Sequence, residues 1–257
     1  MATIQFSHAN GFPAGSYNCF LKHLDKHTVN FIPALGLDKF KVKNNWKPLV
    51  DELIINIEAS ENKPVVAVGH SLGGVVSYMA AQQRPDLFSH IILLDPPFFR
   101  PLKRWVIEAL IFMNKLDKYP HPANKSKFRR TQFSSRDEAY SYFKNKALFK
   151  HASPECLTDY ITHGLTEHKQ GYVLKIPREI EVRIFLTMPL ILPTRKLKIP
   201  AHFLYSNQFE AMEPKDLKWV KRRMPFFEFI EIEGSHLFPF EKPSELANLI
   251  DKIIAEH

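Results

Sequence analysis

Cysteine and glycine are both scarce in this 257-residue chain, with two of the former and nine of the latter. With Cys19 and Cys156 alone, a multi-disulfide framework and a cysteine-based zinc site are excluded, and two unpaired buried thiols are favoured over a single bridge. No window approaches roughly 18 consecutive apolar residues, so no membrane-spanning helix is expected. The first eight residues, MATIQFSH, hold neither a basic leader nor an apolar run of signal-peptide length. Internal repeats and low-complexity tracts are absent as well. A soluble, cytoplasmic protein is the resulting expectation.

What is present is ordinary for a globular chain: 45% hydrophobic and 24% charged residues, which excludes dominant disorder. Two features stand out. There are 21 Phe, 8 Tyr and 3 Trp, and the net charge is +8. Summed positive charge attracts polyanions whatever the fold. The charge is unevenly placed, however. Residues 97–198 carry 20 Lys and Arg against 9 Asp and Glu, whereas the remainder carries 15 against 18. The most basic stretch, Lys125 to Arg130 (KSKFRR), fits a solvated face better than a nucleic-acid site, and no nucleic-acid partner is expected.

Periodicity divides the chain in the same way. Thr3–His8, Thr28–Leu35, Pro64–Gly69, Ile91–Leu94, Pro200–Tyr205 and Phe227–Ile232 are short apolar or alternating runs suited to strands. Between them, Trp46, Leu49, Val50, Leu53, Ile54 and Ile57 fall on one helical face, as do Leu246, Leu249, Ile250, Ile253 and Ile254. Strands alternating with helices predict an α/β fold, a mostly parallel sheet of about six strands covered on both sides. From Pro97 to Lys198 the alternation stops. Helix-like pieces over Leu102–Met113, Arg136–Phe149 and Pro154–His163 predict a helical insertion, since a hundred residues do not form a loop in a compact protein. The expected organisation is a core of 1–96 and 199–257 with a cap of 97–198.

Three segments carry chemistry. Gly69-His70-Ser71-Leu72-Gly73-Gly74 follows a buried strand and opens a helix. A serine on such a turn needs small neighbours, and the first amides of the helix favour negative charge beside its hydroxyl. His8-Ala9-Asn10-Gly11-Phe12-Pro13 ends the first strand, and Gly234-Ser235-His236 follows the last. Six of the nine glycines, at 11, 15, 69, 73, 74 and 234, lie in or beside these segments. An imidazole at neutral pH can take the serine proton and return it to a leaving group.

In these segments, and in the order Ser71 before His236, the sequence resembles the α/β-hydrolase fold superfamily, over residues 1–96 and 200–257. The resemblance implies a three-layer α/β/α fold with a helical cap, Ser71 as nucleophile and His236 as general base and acid. It also implies an oxyanion hole from the amides of Leu72 and Phe12. Because Ala9-Asn10 separates His8 from Gly11, Asn10 stands beside Phe12 as the second donor. For the acid, the loop after the penultimate strand offers Glu210, and the end of the strand after the serine's helix offers Asp95. Asp95 is preferred and Glu210 is the alternative. His70 is read as a packing or positioning residue.

A serine nucleophile disfavours the dehalogenase and epoxide-hydrolase chemistries of the superfamily, which use an aspartate there. The implied reaction is hydrolysis of a carboxylic ester, thioester or lactone in a small-molecule acyl substrate, without metal or organic cofactor. C–C bond hydrolysis and a non-catalytic receptor or scaffold are the alternatives. The aromatic residues of the cap, among them Trp105, Phe112, Phe128, Phe133, Phe143, Phe149 and Tyr160, are assigned mainly to the cap's own core, with an apolar or aryl acyl group as the matching substrate. The sequence assigns no oligomeric state.

Overall fold

A computed structural model describes every residue except Gln170 and Leu190. The elements before the middle segment are β1 (Thr3–Ser7), α1 (Asn18–Leu21), β2 (Thr28–Phe31), α2 (Lys47–Glu58), β3 (Val65–His70), α3 (Leu72–Gln83) and β4 (Phe88–Leu94). The middle holds α4 (Pro101–Phe112), α5 (Pro122–Lys127), β5 (Gln132–Phe133), α6 (Arg136–Lys144), α7 (Pro154–Gly164), β6 (Leu165–His168), β7 (Gly171–Leu174) and α8 (Arg178–Leu186). Then come β8 (Ala201–Ser206), α9 (Pro214–Arg223), β9 (Glu228–Ile232), α10 (Phe238–Glu241) and α11 (Pro243–Ala255).

Six strands form one sheet in the order β2-β1-β3-β4-β8-β9, with every adjacent pair parallel. Strand β3, VVAVGH, is buried throughout, because helices cover both faces. Its pleat feeds two cores. Val65 and Ala67 with Ile91 and Leu93 of β4 face α2, α3 and α9; Val66 and Val68 with Ile92 and Leu94 face α1 and α11. This is the three-layer α/β/α fold. The sheet brings the ends of β3, β4, β8 and β9 side by side, which is where such sheets carry their sites.

The middle segment holds helices close to the spans expected, and also a small antiparallel sheet, β5-β7-β6, that periodicity did not reveal. Strand β5 has two residues, too few for any alternation to show. The segment's aromatic residues divide. Phe133, Phe143, Phe149 and Tyr160 are buried, but Phe112 is 89%, Phe128 88% and Trp105 61% exposed, so their assignment to a core is corrected.

The expectation of two free thiols is corrected too. Cys19 on α1 and Cys156 on α7 form a disulfide across 137 positions, because packing of α7 on α1 brings their Cα atoms to 5.2 Å. A bridge of this kind suits an oxidising compartment better than a reducing cytoplasm. Among the described residues, no helix is long and apolar enough to cross a membrane.

Candidate active site

Ser71 sits on the turn between β3 and α3 with φ 53° and ψ −114°, a conformation that costs a non-glycine residue free energy and that the surroundings must hold. They do so through close approach. A Cβ on Gly73 would lie 2.0 Å from the Ser7 carbonyl oxygen, and one on Gly69 would lie 2.5 Å from that of Gly73. Backbone cannot retreat, so any larger residue at either place displaces β1 or reopens the turn. The Ser71 amide donates to the Leu94 carbonyl at 2.9 Å, which ties the turn to the end of β4.

Immediately beyond β4, Asp95 is buried and also left-handed, with φ 46°. Its amide donates to the Leu204 carbonyl at 2.7 Å, and its Oδ1 accepts the Ser206 amide at 3.1 Å. Its Oδ2 lies 2.7 Å from His236 Nδ1, while His236 Nε2 lies 3.0 Å from Ser71 Oγ. Carboxylate, imidazole and hydroxyl therefore form one hydrogen-bonded line, assembled from the loops after β4 and β9 and the turn after β3. In this arrangement Nδ1–H donates to Asp95, which leaves the Nε2 lone pair facing the hydroxyl. That is the tautomer able to accept a proton from serine.

Glu210 reaches the same histidine at another point. Its Oε2 accepts the His236 main-chain N–H at 2.8 Å, so it meets backbone and not the ring. His70, buried beside the serine, holds the histidine from the opposite side. His70 Nε2–H donates to the His236 carbonyl at 2.9 Å, and His70 Nδ1 then accepts the Tyr17 hydroxyl at 2.7 Å. The Tyr17 oxygen in turn accepts the Ala9 amide at 3.2 Å. Burial, with the nearby His236 ring, pushes the His70 imidazole well below its ordinary value, which keeps it neutral and this proton pattern intact. His8 is fixed similarly: it donates from Nδ1 to the Ala9 carbonyl and accepts the Leu35 amide at Nε2, and burial pushes it down to about 4. These second contacts follow no local motif; Tyr17, at helical spacing with Phe20, Leu21 and Leu24, had nothing in the sequence to mark it for this role.

The two predicted oxyanion donors differ in state. Leu72 opens α3, where first-turn amides have no partner within the helix. The Phe12 amide instead donates to the Ala9 carbonyl at 3.1 Å, and its ring is packed against Phe149, Tyr160 and Phe240. The Asn10 amide meets no protein acceptor among the described residues. The Asn10 side chain donates to the Glu181 carbonyl at 2.9 Å, which joins this loop to α8. Arg129 lies over it, bonded to Glu181 Oε2 at 2.6 Å and to the Tyr160 hydroxyl. The KSKFRR stretch is accordingly not a uniform basic face, since its first arginine is partly buried and paired.

One group of metal-competent side chains occurs among the described residues. Donor atoms of His202, Glu228 and His257 lie within 4.8 Å of one another. His202 and Glu228 stand at the starts of β8 and β9, the opposite end of the sheet from Ser71, so the group takes no part in the serine site.

Comparison with known proteins agrees with this architecture. A family model described as "Alpha/beta hydrolase family" matches residues 6–249. Ethanol acetyltransferase 1 of Kluyveromyces marxianus is 21% identical over 82% of this chain, a match spanning 61% of that protein's own length. Lipase LipV of Mycobacterium tuberculosis is 23% identical over 78% of this chain and 72% of its own. Among solved structures, E-2-(acetamidomethylene)succinate hydrolase superposes with a TM-score of 0.79 at 16% identity, covering 99% of this chain and 91% of that one.

Proposed function

The chain belongs to the alpha/beta hydrolase family, and on that premise we propose that it hydrolyses carboxylic esters through an acyl-enzyme on Ser71. The observation that carries this is the unbroken line from Asp95 through His236 to Ser71, with contacts of 2.7 and 3.0 Å. Ser71 Oγ attacks the substrate carbonyl while His236 Nε2 takes its proton. The tetrahedral oxyanion is held by the Leu72 amide and a second amide of the Asn10–Phe12 loop, for which Asn10 has the free donor. The imidazolium, stabilised by Asp95, then protonates the leaving alkoxide. Water attacks the acyl-enzyme by the same sequence and the serine is regenerated.

In this reading Asp95 is the acid, and Glu210 and His70 are positioning residues that fix the main chain of His236 from its N–H and C=O sides. Residues 97–198 act as the cap, and the buried rings of Phe149 and Tyr160 beside Phe12 support an apolar or aryl acyl group. Thioesters and lactones require the same steps and stay within the proposal.

A fluorophosphonate probe should label the wild type and not Ser71→Ala. Hydrolysis of p-nitrophenyl esters should fall by at least about three orders of magnitude in Ser71→Ala and His236→Ala. Asp95→Asn should cost far more than Glu210→Gln. Absence of labelling in the wild type would sink the proposal, and equal turnover of acetate through decanoate esters would remove the apolar preference.

A further inference from the structure

Helix α4 leaves most of its large apolar side chains outside. Its inward face carries Arg104, 1% exposed, and Ile107; Arg104 donates to the main-chain carbonyls of Met188 and Pro189 and to Glu108. Its N-terminal end is clamped by Arg100 and Lys103, which pair with Glu213 and Asp216. The outward face presents Leu102 (72% exposed), Trp105 (61%), Val106 (45%), Phe112 (89%) and Met113 (48%), with Ala109 between them. At 100° per residue these positions make a stripe about 120° wide, the width a helix normally buries. The stripe is exposed, with none of the described residues covering it.

Charge says what would cover it. Between residues 97 and 130 there are nine Lys and Arg against two Asp and Glu. Five of the nine are committed: Arg100 and Lys103 to α9, Arg104 to Glu108, Arg129 to Glu181, and Arg130 to Glu138. Lys115, Lys118, Lys125 and Lys127 enter no ion pair among the described residues. The inner side of α4 packs Ile107, Leu110 and Ile111 against Val182 and Leu186 of α8 in a separate small core. A broad apolar stripe therefore lies on a segment with an excess of lysines that no carboxylate among the described residues engages.

We propose that this face binds the surface of an anionic phospholipid bilayer, with the α4 stripe among the upper acyl chains and headgroup phosphates on the unpaired lysines that follow the helix. The arrangement meets both requirements of such binding: buried apolar area and attraction to anionic lipid. Trp105 is suited to the interfacial level, and the stems of Lys115 and Lys118 can lie along apolar surface while their ammonium groups reach phosphate. Binding does not depend on the serine chemistry, so the two proposals fail separately.

Full-length protein is sedimented with vesicles of phosphatidylcholine alone and of phosphatidylcholine with 30 mol% phosphatidylserine. Pelleting with the anionic vesicles is expected at low salt, accompanied by a blue shift of Trp105 fluorescence, and Ser71→Ala should bind as the wild type does. Trp105→Glu/Phe112→Glu, both exposed and harmless to the fold, should lower binding at least tenfold while hydrolysis of a soluble short ester is kept. Lys115→Glu/Lys118→Glu/Lys127→Glu should weaken only the anionic-vesicle binding, roughly fivefold per lysine, and flatten its salt dependence. No sedimentation with the anionic vesicles would overturn the proposal, as would unchanged binding of the Trp105→Glu/Phe112→Glu protein. A concentration-dependent dimer abolished by the same two substitutions would seat a second copy on the stripe and overturn it equally.

Discussion

Helices α4 and α7 lie in the same segment, have 12 and 11 residues, and each begins with proline in the first turn. Their relation to the rest of the molecule is opposite. Helix α7 buries Cys156, Leu157, Tyr160 and Ile161 against α1 and the turn before it, and Ser153 caps its first turn by accepting the Cys156 amide. Helix α4 buries only Arg104 and Ile107 and has no side-chain cap. Apolar content does not separate them. What does is that α7 has aromatic partners on its inner side (Phe12, Phe143 and Phe149 around Tyr160), whereas α4 meets main-chain carbonyls and carboxylates beside one small aliphatic cluster with Val182 and Leu186. A helix can be amphipathic and still be held by its polar side.

Breaking the tie of α7 should have the largest effect. Cys19 and Cys156 close a loop of 137 positions, for which chain-entropy arguments give about 5 kcal/mol. Reduction, or Cys156→Ala, should lower the urea midpoint accordingly. Thiol titration of the native, unreduced protein should find no free cysteine; two free thiols would cancel this prediction.

Next in size is Phe143→Ala. It empties a site shared with Phe133, Phe149 and Tyr160 and should cost about 3–5 kcal/mol in chemical denaturation. Phe112→Ser on α4 should change stability by no more than about 0.5 kcal/mol. Phe143 lies on α6 against Tyr160 of α7, so equal effects would remove the contrast between the packed side of α7 and the exposed side of α4.

A smaller effect concerns pH. His121 caps α5 by accepting the Ala123 amide at 3.2 Å, and desolvation, with Arg104 and Lys127 nearby, pushes its imidazole down to about 4. Below its ordinary value near 6.5 the unfolded segment takes up a proton that the folded one refuses. Stability of α5 is therefore full above about pH 6.5 and falls as the pH drops toward 4. Allowing for solvent screening, the loss is about 1–2 kcal/mol. Hydrogen exchange at pH 5 should open α5 before α7, and His121→Asn, which keeps an acceptor at the cap, should reduce that difference. Equal opening of both helices would contradict it.

The sheet was legible in the sequence because strands buried on both faces are apolar runs, and β3 and β4 contain little else. Ser71 and His236 were legible because each is defined by its neighbours on the chain: glycines that permit the turn, or a strand just before and a helix just after. Asp95 against Glu210 was not, because the choice depends on which oxygen meets the ring and which meets the backbone, 141 and 26 residues away. Phe12 illustrates a further limit, since its amide is consumed by a turn that one inserted dipeptide creates. A helix over Leu102–Met113 was legible, but the assignment of its Trp105 and Phe112 to a core was not correct. The pattern reports that a face exists and is silent on whether that face looks in.

The bridge between Cys19 and Cys156 also has a topological consequence. It closes a covalent ring holding the Ser71 turn, the Asp95 loop and all of α4, while His236 hangs outside it on the tail. A single peptide-bond cut anywhere within the ring, the exposed flank of α4 included, leaves one connected molecule. Nicked and intact chains would then stay one covalent molecule, differing only by the water added at the cut, until reductant parts the pieces, and the cleaved protein would keep its serine and its histidine in the same covalent body.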